Sequence, residues 1–329
     1  MTAIDITIVV CTYNRSAMLR EALRSLYDLR TACEFTYEVL VVDNNSTDDT
    51  PAAIEQARRE SAAMLRGVCE TRPGVAAARN RGVREARGNW IAFFDDDQIA
   101  DADWLYELRR GAQEQRCRMV GGAVHLLLPE DCQRDLDPFC RMLLGESKWS
   151  DSPQPYNHRI NPGAGNLMVQ RSIFEEVGLF NENLRRGEDT DLYRRTRAAA
   201  MTAWYLPAAI IHHMTPAERL TDEYLLKLAR SMGDLLANYE WNTRSTFSAA
   251  TYWLAKGTRA AGLHWPRVQL ARLRGQREAA LGRRCQLSVS AGHFAHGWER
   301  VQQLCRGSLP QATTNTAASA ACTRPIGPR

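Results

Sequence analysis

Apolar, β-branched runs recur along the first hundred residues, and each stops at a cluster of polar side chains. Ile4–Val10 is followed by helical spacing at Met18, Leu19, Ala22, Leu23 and Leu26, with Ser16 placed as an N-cap. Tyr37–Val42 is the second run, and a helix is expected over 48–60. A third helix is expected over 75–86, entered through the Pro73-Gly74 turn, before the run Trp90–Phe94. Such alternation is satisfied by an α/β fold, a parallel sheet with helices on both faces whose ligands bind at the carboxyl ends of the strands. The polar clusters fall at those ends: Thr12-Tyr13-Asn14, then Asp43-Asn44-Asn45-Ser46, then Asp95-Asp96-Asp97.

The Asp triplet is the most telling of the three. Adjacent carboxylates at a strand end repel one another unless a cation neutralises them. Hard divalent ions such as Mg²⁺ or Mn²⁺ take oxygen ligands, and in phosphate-handling sites one or two carboxylates hold them while phosphates complete the shell. A solvated acidic turn is the alternative. In a strand the first and third carboxylates would share a side, which favours Asp95 and Asp97 as the working pair.

Farther along, a helix is expected over 104–115 and a strand over 119–128, and then the pattern loosens between Pro129 and Pro162. A strand at Leu167–Val169, a helix near Ser172–Val177, a helix opening at Glu188 and a strand over Trp204–Ile211 follow. That last strand ends in His212-His213, and the sequence beyond Ala217 reads as mostly helical.

Five motifs in order resemble those of the family 2 glycosyltransferases: Val10-Cys11-Thr12-Tyr13-Asn14-Arg15, Val41-Val42-Asp43-Asn44-Asn45-Ser46-Thr47-Asp48, Ala78-Arg79-Asn80-Arg81-Gly82, the Asp95–Asp97 triplet and Gly187-Glu188-Asp189. The resemblance covers roughly residues 4–215. It implies a GT-A fold, a nucleotide-sugar donor and a divalent metal, Mn²⁺ or Mg²⁺. It puts Thr12, Tyr13, Asn14, Arg15 and Asp43 at the nucleotide, with core packing for Tyr13 and an Asx turn for Asp43 as the plain alternatives. It sets Arg79 near the nucleotide and the acidic motif, Asp95 near the ribose with Asp96 beside it, and Asp97 on the metal. His213, with His212 as its rival, would be a further metal ligand or phosphate contact. Asp189 would be the general base, with Glu188 next in line, although acids in a helix's first turn also serve the helix dipole alone. Gly165 and Asn166, in the stretch Asn161-Pro162-Gly163-Ala164-Gly165-Asn166, would lie near donor sugar and acceptor. The implied reaction is an inverting transfer of sugar to a saccharide, lipid-linked or small-molecule acceptor in cell-surface polysaccharide or glycolipid assembly.

Two rivals lack their signatures. A sugar-1-phosphate nucleotidylyltransferase needs a glycine-rich phosphate loop where this chain has Thr-Tyr-Asn-Arg, and a dinucleotide-binding dehydrogenase needs GxGxxG. A non-catalytic sugar-nucleotide-binding or scaffold protein remains an alternative that intact Asp97 and Asp189 argue against. The Gln-x-x-Arg-Trp motif of processive membrane synthases is absent, and no apolar stretch reaches the roughly 18 residues of a membrane span.

Charge is unevenly spread. Residues 251–329 hold 12 Lys/Arg against 2 Asp/Glu, a net +10, whereas residues 1–250 hold 30 against 36, a net −6. The expected organisation is a catalytic domain over 1–216, a helical basic region over 217–307 and a disordered tail over 308–329. The basic region, interleaved with Trp253, Leu254, Leu263, Trp265, Val268 and Leu273, reads either as a contact for an anionic membrane surface or as a surface packed within the protein or an oligomer. No nucleic-acid recognition motif accompanies the charge. Nine cysteines without CxxC spacing and a start that lacks the pattern of a secretory signal lead to the expectation of a cytoplasmic protein, with a peripheral contact at the inner face of the membrane as the membrane-bound option.

Overall fold

The computed structural model describes residues 4–306 apart from 28, 62–63, 158–159, 185, 244–247, 249–250, 252, 256–257 and 259. The expected tail over 308–329 and part of the basic stretch lie outside the described residues. The chain divides into two compact units, Met1–Thr221 and Asp222–Arg329.

The first unit holds the strands β1 (Ile6–Thr12), β2 (Tyr37–Asp43), β3 (Met64–Cys69), β4 (Trp90–Asp95), β5 (Gln98–Ala100), β6 (Met119–Leu127), β7 (Gln154–Pro155), β8 (Asn166–Gln170) and β9 (Trp204–Met214). Its α-helices are α1 (Ser16–Ser25), α2 (Thr50–Glu60), α3 (Val75–Glu85), α4 (Trp104–Glu114), α5 (Pro138–Leu143), α6 (Ser172–Val177) and α7 (Glu188–Ala198). The strand order is β3-β2-β1-β4-β8-β6-β9-β5, with β7 paired to β9. Pairings among β1 to β4 are parallel, as the strand-helix alternation demands. The other half is mixed, because β8 runs antiparallel to both β4 and β6 while β6 and β9 are parallel. β3 escapes detection in the sequence because it is amphipathic and carries Arg66 and Gly67 in place of an apolar run.

Alternation along β1 sorts the core into two layers. Ile6, Ile8 and Val10 pack with Leu19 and Leu23 of α1 on one face, whereas Val9 packs with Ala76 and Ala78 of α3 on the other. Each such Ile, Leu or Val side chain, fully buried, contributes about 1.5–3 kcal/mol. β9 is interrupted: its register against β6 jumps from Gly122↔Leu206 to Ala123↔Ile210, so residues 207–209 bulge out. Pro207, without an N–H to offer the ladder, sits in that bulge, and the carbonyl of Ala209 is taken up by the Asn166 side chain at 3.0 Å.

In the second unit the helices Asp222–Thr243 and Arg277–Cys305 are tied along their length, by Ser288 Oγ donating to the Leu226 carbonyl (2.9 Å) and by the His293–Glu240 pair (2.6 Å). A π-helical turn, Ala260–His264, leads into a short helix, Trp265–Leu273. Among the described residues no helix is long and apolar enough to cross a membrane.

Candidate active site

The carboxyl ends of β1, β2 and β4 open onto a cleft of about 690 Å³. Tyr13, Arg15, Asn44, Pro73, Asp96 and Asp97 are among its walls. A second cleft of about 350 Å³ is lined by Trp149, Asn161, Gly165, Asn166, Glu188 and Asp189, among others. Arg79, Asp95 and His213 line both. The two clefts therefore meet at a basic side chain, an acid and an imidazole.

β4 ends at Asp95, and Asp96-Asp97 form the turn into β5. Strand alternation thus stops one residue too early to pair Asp95 with Asp97. The observed division sets Asp95 apart, bonded to Arg79 Nη2 at 3.1 Å, while Arg15 Nη1 bridges Asp96 Oδ1 (2.8 Å) and Asp97 Oδ2 (3.1 Å). Burial raises the Asp96 carboxyl, with Arg15 working against it. Burial would raise Asp97 too, yet His213, Arg15 and Arg219 outweigh it and hold that carboxyl below its usual range.

The paired histidines part company because neighbours on a strand face opposite ways. His213 Nε2 lies 3.4 Å from Asp97 Oδ2, whereas His212 turns away, bonds Asp101 Oδ1 at 2.9 Å and meets the ring of His125. His213 Nδ1 lies 2.9 Å from the Leu144 carbonyl, an acceptor, so Nδ1 carries a hydrogen and Nε2 is the ring nitrogen turned to Asp97. Among the described residues no group of three His, Cys, Asp or Glu converges to hold a metal ion. The converging pair, one carboxylate oxygen and one imidazole nitrogen, suits a cation that takes its remaining ligands from phosphate and water, and the imidazole suits Mn²⁺ better than Mg²⁺.

On the other side of Asp95, the buried Arg79 guanidinium joins Asp95 to Glu188. It is not one of the solvated arginines of α3; Arg81 instead pairs with Glu85 at 2.9 Å on the surface. Glu188 is held by its ion pair with Arg79, and burial raises its carboxyl, partly offset by that arginine. Asp189 is freer. It sits in the first turn of α7 behind Gly187, whose φ of +82° is left-handed, and accepts from the Thr190 N–H (2.6 Å) and the Ala164 N–H (3.3 Å) while lining the second cleft.

The remaining expected residues divide between walls and braces. Thr12 and Tyr13 line the larger cleft, Tyr13 with 57% of its surface exposed. Asn14 is a brace, its side-chain oxygen taking the N–H of Thr47 at 2.7 Å, which ties the loop after β1 to the loop after β2. Asp43 closes its own loop, accepting from the Ser46 N–H at 2.9 Å; Asn44 and Asn45 also border the cleft, but the Asn44 amide is spent on the Glu70 and Arg72 carbonyls and the Gly74 N–H. Asn166 has its amide fully engaged by Trp104, Ala123 and Ala209, so it offers shape to the second cleft and no free polar group. At Gly165 a Cβ would lie 2.4 Å from Asp95 Oδ2 and 2.5 Å from Gln98 Nε2, so those two side-chain ends would have to shift to admit one. Several walls carry no motif of their own: Thr71, Pro73 and Val75, Gln98 and Trp149; behind Asp97, Arg219 Nη1 stands 3.7 Å from its carboxylate. Of these, only the 71–75 loop had a signal in the sequence, its Pro73-Gly74 turn. Cys11, also at the cleft, has its thiol pushed up to about 12 by burial and stays neutral.

Residues 7–131 match the sequence profile of Glycosyl transferase family 2. The succinoglycan biosynthesis protein ExoM of Rhizobium meliloti (strain 1021) is 28% identical over 255 residues, 75% of this chain and 80% of that protein. ExoO of the same organism, also a succinoglycan biosynthesis protein, is 34% identical over 223 residues, 64% of this chain and 61% of that one. Among solved structures, the mannosyltransferase PcManGT from Pyrobaculum calidifontis, in complex with GDP-Man and Mn²⁺, superposes with a TM-score of 0.58 over 88% of this chain and 86% of that chain at 18% identity, a likeness of fold. The five motifs gather around one pair of clefts on a GT-A sheet, and the family 2 profile over residues 7–131, the curated relatives and the fold together support a glycosyltransferase.

Proposed function

We propose that this glycosyltransferase is metal-dependent and inverting, and that it moves one sugar from a nucleoside-diphosphate donor to an acceptor hydroxyl in the assembly of a cell-surface polysaccharide or glycolipid. The carrying observation is that the two clefts share Arg79, Asp95 and His213 as walls, with the Asp97–His213 pair lining the larger and Asp189 the smaller. The larger cleft suits the nucleotide, with Tyr13 flanking the base and Asn44, Asn45 and the 71–75 loop around it. The smaller cleft suits the acceptor.

Asp97 and His213 would hold Mn²⁺ or Mg²⁺, which supplies charge neutralisation to the departing diphosphate. Asp95, fixed by Arg79, orients the donor ribose. Burial works against the charge on Arg79, but Asp95 and Glu188 outweigh it, so the guanidinium adds its field to the same side and keeps Asp95 from turning inward. Asp189 takes the proton of the acceptor hydroxyl as its oxygen attacks the anomeric carbon from the face opposite the nucleotide, and the fixed donors at Thr190 and Ala164 hold that carboxylate in place. The relatives active in succinoglycan biosynthesis support the polysaccharide setting, and PcManGT supports a nucleotide-sugar donor with Mn²⁺. A screen of UDP-, GDP- and dTDP-sugars, each with Mn²⁺ and with chelator, tests the reading. It expects one donor class to be consumed in a metal-dependent manner with inversion at the anomeric carbon. Retained configuration, or equal turnover in chelator, would overturn the mechanism.

A further inference from the structure

The short helix Trp265–Leu273 is built inside out. It buries only Val268 and Ala271, and exposes Trp265 (59%), Leu270 (46%) and Leu273 (85%). Successive residues of an α-helix are about 100° apart, which sets Leu273 nearly opposite the buried pair, with Trp265 and Leu270 to either side of it. On the same wheel Arg267 and Arg274 border one edge of this apolar stripe and Arg272 the other. The chain then turns at Gly275 (φ +66°) and Arg277 opens the next helix. From 260 to 277 the sequence holds four arginines, Arg267, Arg272, Arg274 and Arg277, and no Asp or Glu. All four are exposed, and among the described residues no acidic side chain pairs with any of them.

We propose that this helix and its arginine rim are a docking surface for an anionic lipid bilayer. Apolar side chains 46–85% exposed gain by entering the acyl boundary, and tryptophan suits the headgroup level. Arginines on both edges complement anionic headgroups. The same charge weighs against the other occupants. Two copies of this face would bring like charges together, and the polar residues after 307 include no acid to pair with it. The docking does not depend on the glycosyltransfer chemistry, since none of these residues lines either cleft.

Flotation of the full chain with phosphatidylcholine vesicles, with and without phosphatidylglycerol, tests it. Binding is expected to the anionic vesicles only and to weaken with salt. Replacing all of Arg267, Arg272, Arg274 and Arg277 by Gln should weaken partitioning by about fivefold for each arginine removed, and Trp265→Ser with Leu273→Ser should weaken it by about tenfold or more while leaving the salt dependence in place. Because these side chains are exposed, the variants should keep the wild-type melting temperature, and their turnover of a water-soluble acceptor should be unchanged. Absence of wild-type binding to anionic vesicles, or undiminished binding by both variants, would overturn the proposal. So would a concentration-dependent dimer that the Trp265/Leu273 variant abolishes, which would make the face a contact between copies.

Discussion

The two clefts that meet at Arg79 are built in different ways. The larger one takes its core from the ends of β1, β2 and β4 and the residues just after them, each a short contiguous motif, and is completed by the 71–75 loop, α3 and His213. The smaller one shares Arg79, Asp95 and His213 with it and adds Gln98, 122–124, 142–149, 161–166 and 188–189, stretches that the mixed half of the sheet and its connections bring together. A site on strand ends is specified locally, because a parallel strand leaves its last residues on the ligand edge whatever the loops do. A site assembled from distant segments is free to change shape as those segments change. The larger cleft, the proposed donor side, should therefore tolerate little substitution, and the smaller, the proposed acceptor side, should carry what distinguishes this chain from its relatives.

The largest expected effect lies on the acceptor side. Asp189→Asn should lower turnover by about 10²–10⁴-fold and leave donor affinity intact, measured by single-turnover assay beside calorimetry with the nucleotide. Loss of donor binding in that variant would mean that the clefts are not functionally separate. Asp97→Asn, and separately His213→Ala, should do the reverse, weakening metal-supported nucleotide binding by about 10–100-fold. His212→Ala, on the other face of β9, should leave that affinity alone, and a comparable loss there would undo the assignment.

Gly165 stands at the boundary, and Gly165→Ala should damage both clefts at once. A methyl group 2.4 Å from Asp95 Oδ2 forces Asp95 or the loop to move, at a cost of about 1–3 kcal/mol of stability, read as a lower melting temperature together with a higher donor KM. An alanine variant as stable and active as the wild type would show that the loop has slack.

The smallest effect concerns the wall at 71–75. Arg72 donates to Glu70 from its side chain and its backbone and also bonds Glu182 at 2.9 Å, and the bonds to Glu70 lower its carboxyl from 4.5 to about 2. A folded-state value below the unfolded one means stability that is present above about pH 4.5 and lost as pH falls toward 2. Glu70→Gln should flatten the dependence of melting temperature on pH across that window and leave the profile near neutrality almost parallel to the wild type. An unchanged slope would mean that the pair is not formed in solution.

Much of this was legible before the coordinates. The β-branched runs and their polar ends led to the sheet and to the larger cleft, because hydrophobic periodicity and strand direction are local properties. The division within Asp95–Asp97 was not, since it depends on where β4 stops, and a strand end is set by which neighbour still offers hydrogen bonds. Nor was the choice between structural and ligand-facing residues in the polar clusters. Asn14, Asp43 and Asn44 spend their side-chain polar groups on loop backbone while Asn45 and Tyr13 face the cleft, a decision made by the packing of one loop on another.

The C-terminal unit makes the same point more sharply. Its excess of arginine is a property of composition and needs no structure. Its apolar residues form no stripe when 251–284 is read as one helix, and they form one once the π-turn at 260–264 and the turn at Gly275 isolate Trp265–Leu273. The sequence alone determined the motifs, the parallel half of the sheet and the basic end, because each rests on near neighbours in the chain. Tertiary structure decided which histidine meets Asp97, which acid is spent on Arg79 and which face of a helix is left uncovered, because those depend on where distant backbone stops, bulges and turns.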